Sequence, residues 1–193
     1  MTLATHDLDP RATLRMTIEE FDQLPDRTQY ELVHGELVER RMGTESDWIG
    51  ATIAYILETF NRRTRLGYVF GEADYALDPS DRHHFRRPDA SFVLASRFPD
   101  GKLPLTRARL APDLAVEVIS PNDLAGEMNE KIKEYKRLGV RLIWVVFPAS
   151  RTVDVYCADG RVYTLEEDQP ISGEDVLPGF TSPVTDFFPK PRR

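Results

Sequence analysis

The stretch of sequence that decides the fold is Asp113-Leu114-Ala115-Val116-Glu117-Val118-Ile119. This apolar run, bounded by Pro112 and by Ser120-Pro121, is typical of a central strand that is covered on both faces. Glu117 does not fit such a strand on packing grounds. Burying an ionised carboxylate costs several kcal/mol unless the group is paired, protonated or bound to a metal. The position therefore predicts either an ion pair or a metal ligand.

A second acid, Asp89, opens another predicted strand, Asp89-Ala90-Ser91-Phe92-Val93-Leu94-Ala95. Two carboxylates on neighbouring strands, with open positions for water, suit Mg²⁺ or Mn²⁺. Such an ion can polarise a phosphoryl group and lower the pKa of a bound water. Asp113 shares a strand face with Glu117 but lies about 13 Å away at ~3.3 Å per residue, so Asp89 is the better metal partner. The structural alternatives are an arginine partner for Glu117 and a turn-capping role for Asp89.

Length and composition are those of one globular domain. The chain has 193 residues, of which 41% are hydrophobic and 30% charged. No apolar run is long enough to span a membrane and residues 1–11 lack a secretory hydrophobic stretch, so we expect a cytoplasmic protein that does not bind membranes. A formal charge of −7 weakens a DNA-binding interpretation, although cations do cluster locally, as in residues 62–65 and 131–137.

Hydrophobic periodicity and turn residues predict alternating helices and strands. The main predicted helices are 47–63 and 127–138, with a capping box at Thr17 and Glu20 opening a shorter one. Hairpins are predicted at 29–41 and 153–165, further strands at 68–77 and 141–147, and a loop or short helix at 98–111. The segment 171–188 is predicted to wrap on the surface, pinned by Phe180, Phe187 and Phe188. Asn122 or Asp123 is expected to cap the helix that follows.

These elements predict an α/β (α+β) fold with a mixed β-sheet flanked by helices. A strand, a helix and a strand over residues 113–147 form a βαβ-like unit, while the hairpins favour antiparallel pairing elsewhere. We expect a flexible arm at 1–15, a single domain at 16–188 and a tail at 189–193.

Four separated motifs resemble those of the Uma-two family of restriction endonuclease-like proteins, within the PD-(D/E)XK nuclease superfamily. They are Arg87-Pro88-Asp89-Ala90-Ser91-Phe92-Val93, Pro112 to Pro121, Lys131-x-x-x-Tyr135-x-x-x-Gly139-Val140, and Trp144-x-Val146-x-Pro148. Tyr30-Glu31-Leu32-Val33-x-Gly35-Glu36-Leu37 adds a fifth match near the start. The motifs occur in the family's order and cover most of the chain.

The resemblance implies a role for each matching residue. Asp89 and Glu117 would hold the metal, and Glu31 would be an additional acid near it. The superfamily's lysine position, two beyond Glu117, is occupied by Ile119. Lys131 matches the position used by variants of the superfamily in which the lysine has moved to the next helix, so it is predicted to orient or activate the attacking water.

The implied function is a Mg²⁺- or Mn²⁺-dependent endonuclease that hydrolyses phosphodiester bonds in DNA. Double-strand cleavage by one small domain requires two paired active sites, so a homodimer is expected. Two alternatives stay open. The charge of −7 and Ile119 favour a non-catalytic module that keeps the nuclease fold, and the same charge would suit a hydrolase of small phosphoesters.

Overall fold

A six-stranded mixed sheet lies at the centre of the protein in the computed structural model, which describes residues 15–40, 43–98, 101–121 and 123–190. The predicted arm at 1–15 and the end of the predicted tail lie almost wholly outside the described residues. The strands follow the order β3-β4-β5-β6-β7-β8. Their bounds are Gly67–Gly71, Ala90–Leu94, Leu114–Val118, Leu142–Phe147, Thr152–Cys157 and Val162–Leu165.

The predicted mixed sheet with flanking helices is confirmed. Strands β5 and β6 pair in parallel, and the other neighbours in the sheet are antiparallel. Parallel strands cannot be joined by a tight turn, so the chain crosses over through helix α3, Ala125–Arg137. This crossover brings α3 over β5, the strand that carries Glu117.

The two faces of β5 pack against different helices. Leu114 and Val116 belong to a core that includes Ile49 and Ile53 of helix α2, Thr44–Thr64. Ala115, on the opposite face, belongs to a core with Ile132 and Tyr135 of α3. Alternation along the strand therefore points Glu117 toward α3, on the same face as Ala115.

The N-terminal elements also follow the sequence. Helix α1, Ile18–Phe21, begins with the predicted capping box of Thr17 and Glu20. Strands β1, Tyr30–Val33, and β2, Glu36–Glu39, form the predicted hairpin. This hairpin lies outside the central sheet as a separate two-stranded sheet.

The segment predicted to wrap on the surface at 171–188 instead forms regular elements, although Phe180, Phe187 and Phe188 are buried and pin it as predicted. Strands β9, Pro170–Gly173, and β10, Leu177–Pro183, form a hairpin, followed by a 3₁₀ helix at Val184–Phe187. The rings of Phe180 and Phe187 pack against Trp144 of the central sheet, with 5.9 Å between ring centroids in each pair. Frequent proline and glycine hid the alternation in the sequence, but these side chains complete the core on the α2 side.

Two boundary predictions also need correction. The strand predicted at 68–77 ends at Gly71, because Glu72 adopts a positive φ of 42° that leaves the extended region. The N-cap of α3 is Leu124, with no side-chain cap, and the carboxylate of Asp123 instead accepts a hydrogen bond from the backbone N–H of Ser120. The stretch at 98–111 forms no α-helix over its described residues.

Over the described residues, no helix combines the length and the apolar character needed to cross a bilayer.

Gly67 of β3 tests how tightly the sheet is packed at this edge. A Cβ atom at Gly67 would lie 2.1 Å from the carbonyl oxygen of Val93 and 2.6 Å from the ring of Phe92, whereas one at Gly71 would meet nothing within 4 Å. We expect Gly67→Ala to lower the free energy of unfolding by about 1–3 kcal/mol through overpacking. Gly71→Ala should change it by less than about 0.5 kcal/mol. Denaturant unfolding of both variants measures this, and equal effects would contradict the packing.

Candidate active site

A cleft of about 100 Å³ opens where β5 ends, between the β1–β2 hairpin and the start of α3. Its charged lining consists of six carboxylates and four cations, so the formal charge of the lining is −2. The carboxylates are those of Glu31, Glu39, Asp89, Glu117, Asp123 and Glu127, and the cations are those of Arg40, Arg86, Arg87 and Lys131. The four site residues predicted from the sequence, Asp89, Glu117, Lys131 and Glu31, all lie in this cleft.

Strand pairing brings Asp89 beside the strand of Glu117. Ala90 pairs with Val116, and the backbone N–H of Asp89 donates to the carbonyl of Val116 at 3.0 Å. The Oδ2 atom of Asp89 accepts a second hydrogen bond, of 2.7 Å, from the backbone N–H of Val118. These contacts hold Asp89 against the end of β5. They are made with Val116 and Val118, the two neighbours of Glu117 in the strand.

The pKa values of both carboxyl groups are raised. Burial, and then the charge of Glu117, raise the pKa of Asp89 to about 7. The pKa of Glu117 is also raised, chiefly by burial and also by the charge of Glu31, although Lys131 and Tyr135 partly offset the rise. Because both buried carboxyl groups resist ionisation, a bound cation would stabilise their charged forms.

Helix α3 supplies the groups that compensate Glu117. The Nζ atom of Lys131 lies 2.8 Å from Oε2 of Glu117, and the hydroxyl of Tyr135 donates to Oε1 at 2.6 Å. Residues four apart on a helix share a face, so one face of α3 supplies both contacts. Burial lowers the pKa of Lys131, but the charges of Glu117 and Glu31 outweigh it and raise the pKa above its usual value. Lys131 is therefore protonated.

Glu31 of β1 lies on the other side of Lys131. Its Oε1 atom is 3.2 Å from the Lys131 ammonium and accepts a 2.7 Å hydrogen bond from the backbone N–H of Arg87. Its Oε2 atom accepts from the Arg86 guanidinium at 3.2 Å. Burial raises the pKa of Glu31, but the charges of Lys131 and Arg86 outweigh it and lower the pKa. Both oxygens of Glu31 are thus engaged by protein cations and N–H groups.

Behind Glu31, a buried ion cluster extends the network away from the cleft. Arg86 donates from Nε and NH2 to Oε2 of Glu134 at 2.9 and 2.7 Å. The Nε2 atom of His84 lies against Oε1 of the same carboxylate. Burial raises the pKa of Glu134, but His84 and Arg86 together lower it to about 2.

Sequence reasoning gave no place in this network to Arg86, Glu134 or His84. His84 lies in a polar loop, where an exposed side chain is expected, but it is only 3% exposed. A signal for Glu134 existed. Glu134 follows Lys131 by three positions, so both residues lie on the same face of α3. Without that spacing, a glutamate on a helix is expected to be solvated.

Ile119, at the superfamily's usual lysine position, lies outside the cleft. It lines a neighbouring apolar cavity of about 240 Å³, together with Phe147 and Tyr156. Lys133, which lies outside the four-residue ladder of Lys131, Tyr135 and Gly139, is 61% exposed and pairs with Glu130. Lys131 is thus the α3 lysine that enters the cleft.

The donor set fits a hard divalent cation. Asp89 and Glu117 supply carboxylate oxygens, which Mg²⁺ and Mn²⁺ prefer, and Mg²⁺ needs few protein ligands because it retains several waters. The described residues contain no group of three or more His, Cys, Asp or Glu side chains arranged to hold a metal. Asp89 and Glu117 are therefore the candidate ligands, and Glu31 is better placed to hold Lys131 than to bind metal directly.

Comparisons with known proteins agree with this architecture. The family model described as "Uma2: Putative restriction endonuclease" matches residues 18–185. A crystal structure of "a putative nuclease belonging to DUF820" from Anabaena variabilis ATCC 29413 superposes with a TM-score of 0.76. It is 21% identical, and the match covers 90% of this chain and 97% of that one. At this identity the likeness shows the fold. No curated protein matches the chain.

The raised pKa of Asp89 predicts an unusual pH dependence of stability. The carboxyl group has a pKa of about 7 in the folded protein and about 3.9 when unfolded. Ionised Asp89 therefore destabilises the metal-free fold increasingly as the pH rises from about 4 to about 7. We expect Asp89→Asn to raise the melting temperature at pH 8 in EDTA, and the gain to shrink toward pH 4.

Asp113→Asn is the matched control. Asp113 is buried, accepts a hydrogen bond from the backbone N–H of Leu94 and pairs with Arg97, so its substitution should lower the melting temperature. Scanning calorimetry of both variants across this pH range measures the difference. A stability gain for Asp89→Asn that does not change with pH would contradict the assigned electrostatics.

Proposed function

Because the chain belongs to the Uma2 family of restriction endonuclease-like proteins, we propose that it is a divalent-metal-dependent endonuclease that hydrolyses phosphodiester bonds in DNA. The family supports a nuclease-like function. The proposal also includes DNA as the substrate, dependence on a metal, and residues 16–188 as the single nuclease domain. The single observation that carries it is the buried acid pair, Asp89 and Glu117, with protonated Lys131 beside it in one cleft.

Charge supports the need for a metal. The cleft lining carries a formal charge of −2, so a phosphodiester entering it alone would be repelled. One divalent cation would neutralise the lining. Asp89 and Glu117 would hold this cation, which when bound lowers the pKa of a water and polarises the phosphoryl group.

Lys131 acts as a charged hydrogen-bond donor in this proposal. Its raised pKa keeps the ammonium protonated at neutral pH, so it is a poor proton acceptor. It can instead orient the attacking water or stabilise the negative charge that develops on the phosphoryl oxygens. Glu31 and Glu117 hold the ammonium from two sides, at 3.2 and 2.8 Å. Such fixation reduces the reorganisation required during the reaction.

We also propose that two chains associate to cut both strands, since each chain offers one such cleft. The competing possibility is a non-catalytic module, which the overall charge of −7 favours. Cleavage assays with duplex DNA, single-stranded DNA and a panel of nucleotides separate the two, and the panel also tests hydrolysis of small phosphoesters.

Metal binding provides the first test. We expect Mn²⁺ titrated into the metal-free protein to bind at one site, and Asp89→Ala to weaken binding by at least about tenfold because an inner ligand is lost. Cleavage should fall to background in the same variant. Glu130→Gln removes an exposed acid of α3 that pairs with Lys133, and it should leave Mn²⁺ binding unchanged. Isothermal titration calorimetry measures this, and equal binding by wild type and Asp89→Ala would exclude the assigned ligand.

The lysine assignment provides the second test. We expect Lys131→Ala to lower turnover by roughly 10²- to 10⁴-fold, the scale for one positioned electrostatic or acid–base group. Mn²⁺ binding should be retained, because the carboxylates remain. Lys133→Ala removes an equal charge from the exposed side of α3 and should cost far less. Single-turnover cleavage with saturating Mn²⁺ compares them, with circular dichroism to check folding, and similar rates for the two variants would refute a specific role for Lys131.

A further inference from the structure

Arg40 is a buried arginine in the cleft that neither the sequence motifs nor the proposed chemistry accounts for. It directly follows β2, and its backbone N–H donates to the carbonyl of Gln29 at 2.8 Å, which fixes its Cα beside the hairpin. Its side chain is 7% exposed and lines the cleft. A buried guanidinium requires anionic partners, because desolvating a charge is costly.

The guanidinium of Arg40 bridges two carboxylates with unequal contacts. Its NH1 atom lies 3.2 Å from Oε2 of Glu72, whereas its NH2 atom lies 3.5 Å from Oδ1 of Asp89. The second distance is at the outer limit of a hydrogen bond. Arg40 is therefore anchored to Glu72, an exposed acid outside the lining of the cleft, and only loosely engaged with the proposed metal ligand.

Arg40 and a divalent cation would compete for Asp89. The Oδ2 atom of this carboxylate accepts the hydrogen bond from Val118, so Oδ1, the atom that faces Arg40, is the oxygen without a backbone donor. A metal bound there would repel the guanidinium, since like charges a few ångströms apart interact by several kcal/mol near a protein surface. The contact with Glu72 would keep the displaced side chain beside the cleft.

We propose that Arg40 is the internal counter-ion of Asp89, that a bound divalent cation displaces it, and that the displaced guanidinium binds a phosphate of the substrate. This inference rests on the proposed metal-dependent function. A planar guanidinium offers several N–H donors and binds phosphate oxygens in pairs, which suits it to a polyanionic substrate. Metal loading would thus convert a cleft in which Arg40 is paired with Asp89 into one with a free phosphate-binding group.

The proposal predicts effects of opposite sign from one substitution. Arg40→Ala removes the competitor, so Mn²⁺ affinity should rise by about threefold or more. It also removes a phosphate donor, so DNA affinity should fall by roughly 10- to 100-fold, as for the loss of a hydrogen bond to a charged group. A purely structural role for Arg40 would weaken both affinities or leave both unchanged.

The experiment measures both affinities on the full chain. Isothermal titration calorimetry gives the Mn²⁺ affinity of wild type, Arg40→Ala and Arg40→Gln, the last retaining part of the side chain in case the alanine variant unfolds. Fluorescence anisotropy of a labelled DNA duplex in saturating Mn²⁺ gives DNA affinity, with Lys131→Ala as the slow-turnover background. Arg161→Ala is the control, because Arg161 is an exposed arginine that pairs with Asp159 and Glu174 beside the far edge strand β8.

Tighter Mn²⁺ binding together with weaker DNA binding, in either Arg40 variant but not in Arg161→Ala, would support the proposal. Unchanged or weaker Mn²⁺ binding in a folded Arg40 variant would overturn it, and so would unchanged DNA affinity. These failures differ from failure of the proposed function. If wild-type protein binds no Mn²⁺, or if Asp89→Ala binds it equally well, the metal site itself is wrong and the inference falls with it.

Discussion

The burial of the Glu117 carboxylate in the central strand is the constraint on which the rest of the site depends. β5 is hydrogen-bonded on both edges and covered on both faces, so solvent cannot compensate the charge. The compensation comes from Lys131 and Tyr135, both on the crossover helix that the parallel pairing of β5 and β6 requires. The crossover that the sheet topology requires therefore also positions Lys131, whose charge compensates the buried Glu117.

Charges alternate away from Glu117 through the interior. Lys131, Glu31, Arg86 and Glu134 follow in contact order, and successive members of this series carry opposite charges. Breaking one such buried pair usually costs about 3–5 kcal/mol, because the remaining charge is left uncompensated. Asp89 is the buried charge in this cleft with the weakest ion pair. Its described ion pair is the long contact with Arg40, and its pKa of about 7 records the incomplete compensation. A structure that satisfies its other buried charges, but not this one, is suited to bind an external cation there.

Sequence reasoning succeeded where one local signal dominated. The apolar run around Glu117, the 3.6-residue stripe of α2 and the β1–β2 turn each point to one conformation, and the structure has them close to the predicted bounds. It failed where the deciding contacts are distant in sequence. The sequence indicated Phe180 and Phe187 as anchors but not Trp144 as the side chain they pack against, and proline and glycine in that segment hid its strands. Likewise His84 lies in a polar loop whose burial depends on Glu134, 50 positions later.

By itself the sequence determined the mixed-sheet fold, the two acids and the helix that carries the candidate lysine, because strand and helix periodicity and residue type are local properties. The motif spacing also favoured Lys131 over Lys133, but only the tertiary structure showed that the packed helix turns Lys131 into the cleft and leaves Lys133 exposed. It alone also revealed that Glu31 holds a lysine and that Arg40 faces Asp89. Which charged side chains form ion pairs depends on their distances and burial. These are set only when the β1–β2 hairpin, the sheet and α3 pack together.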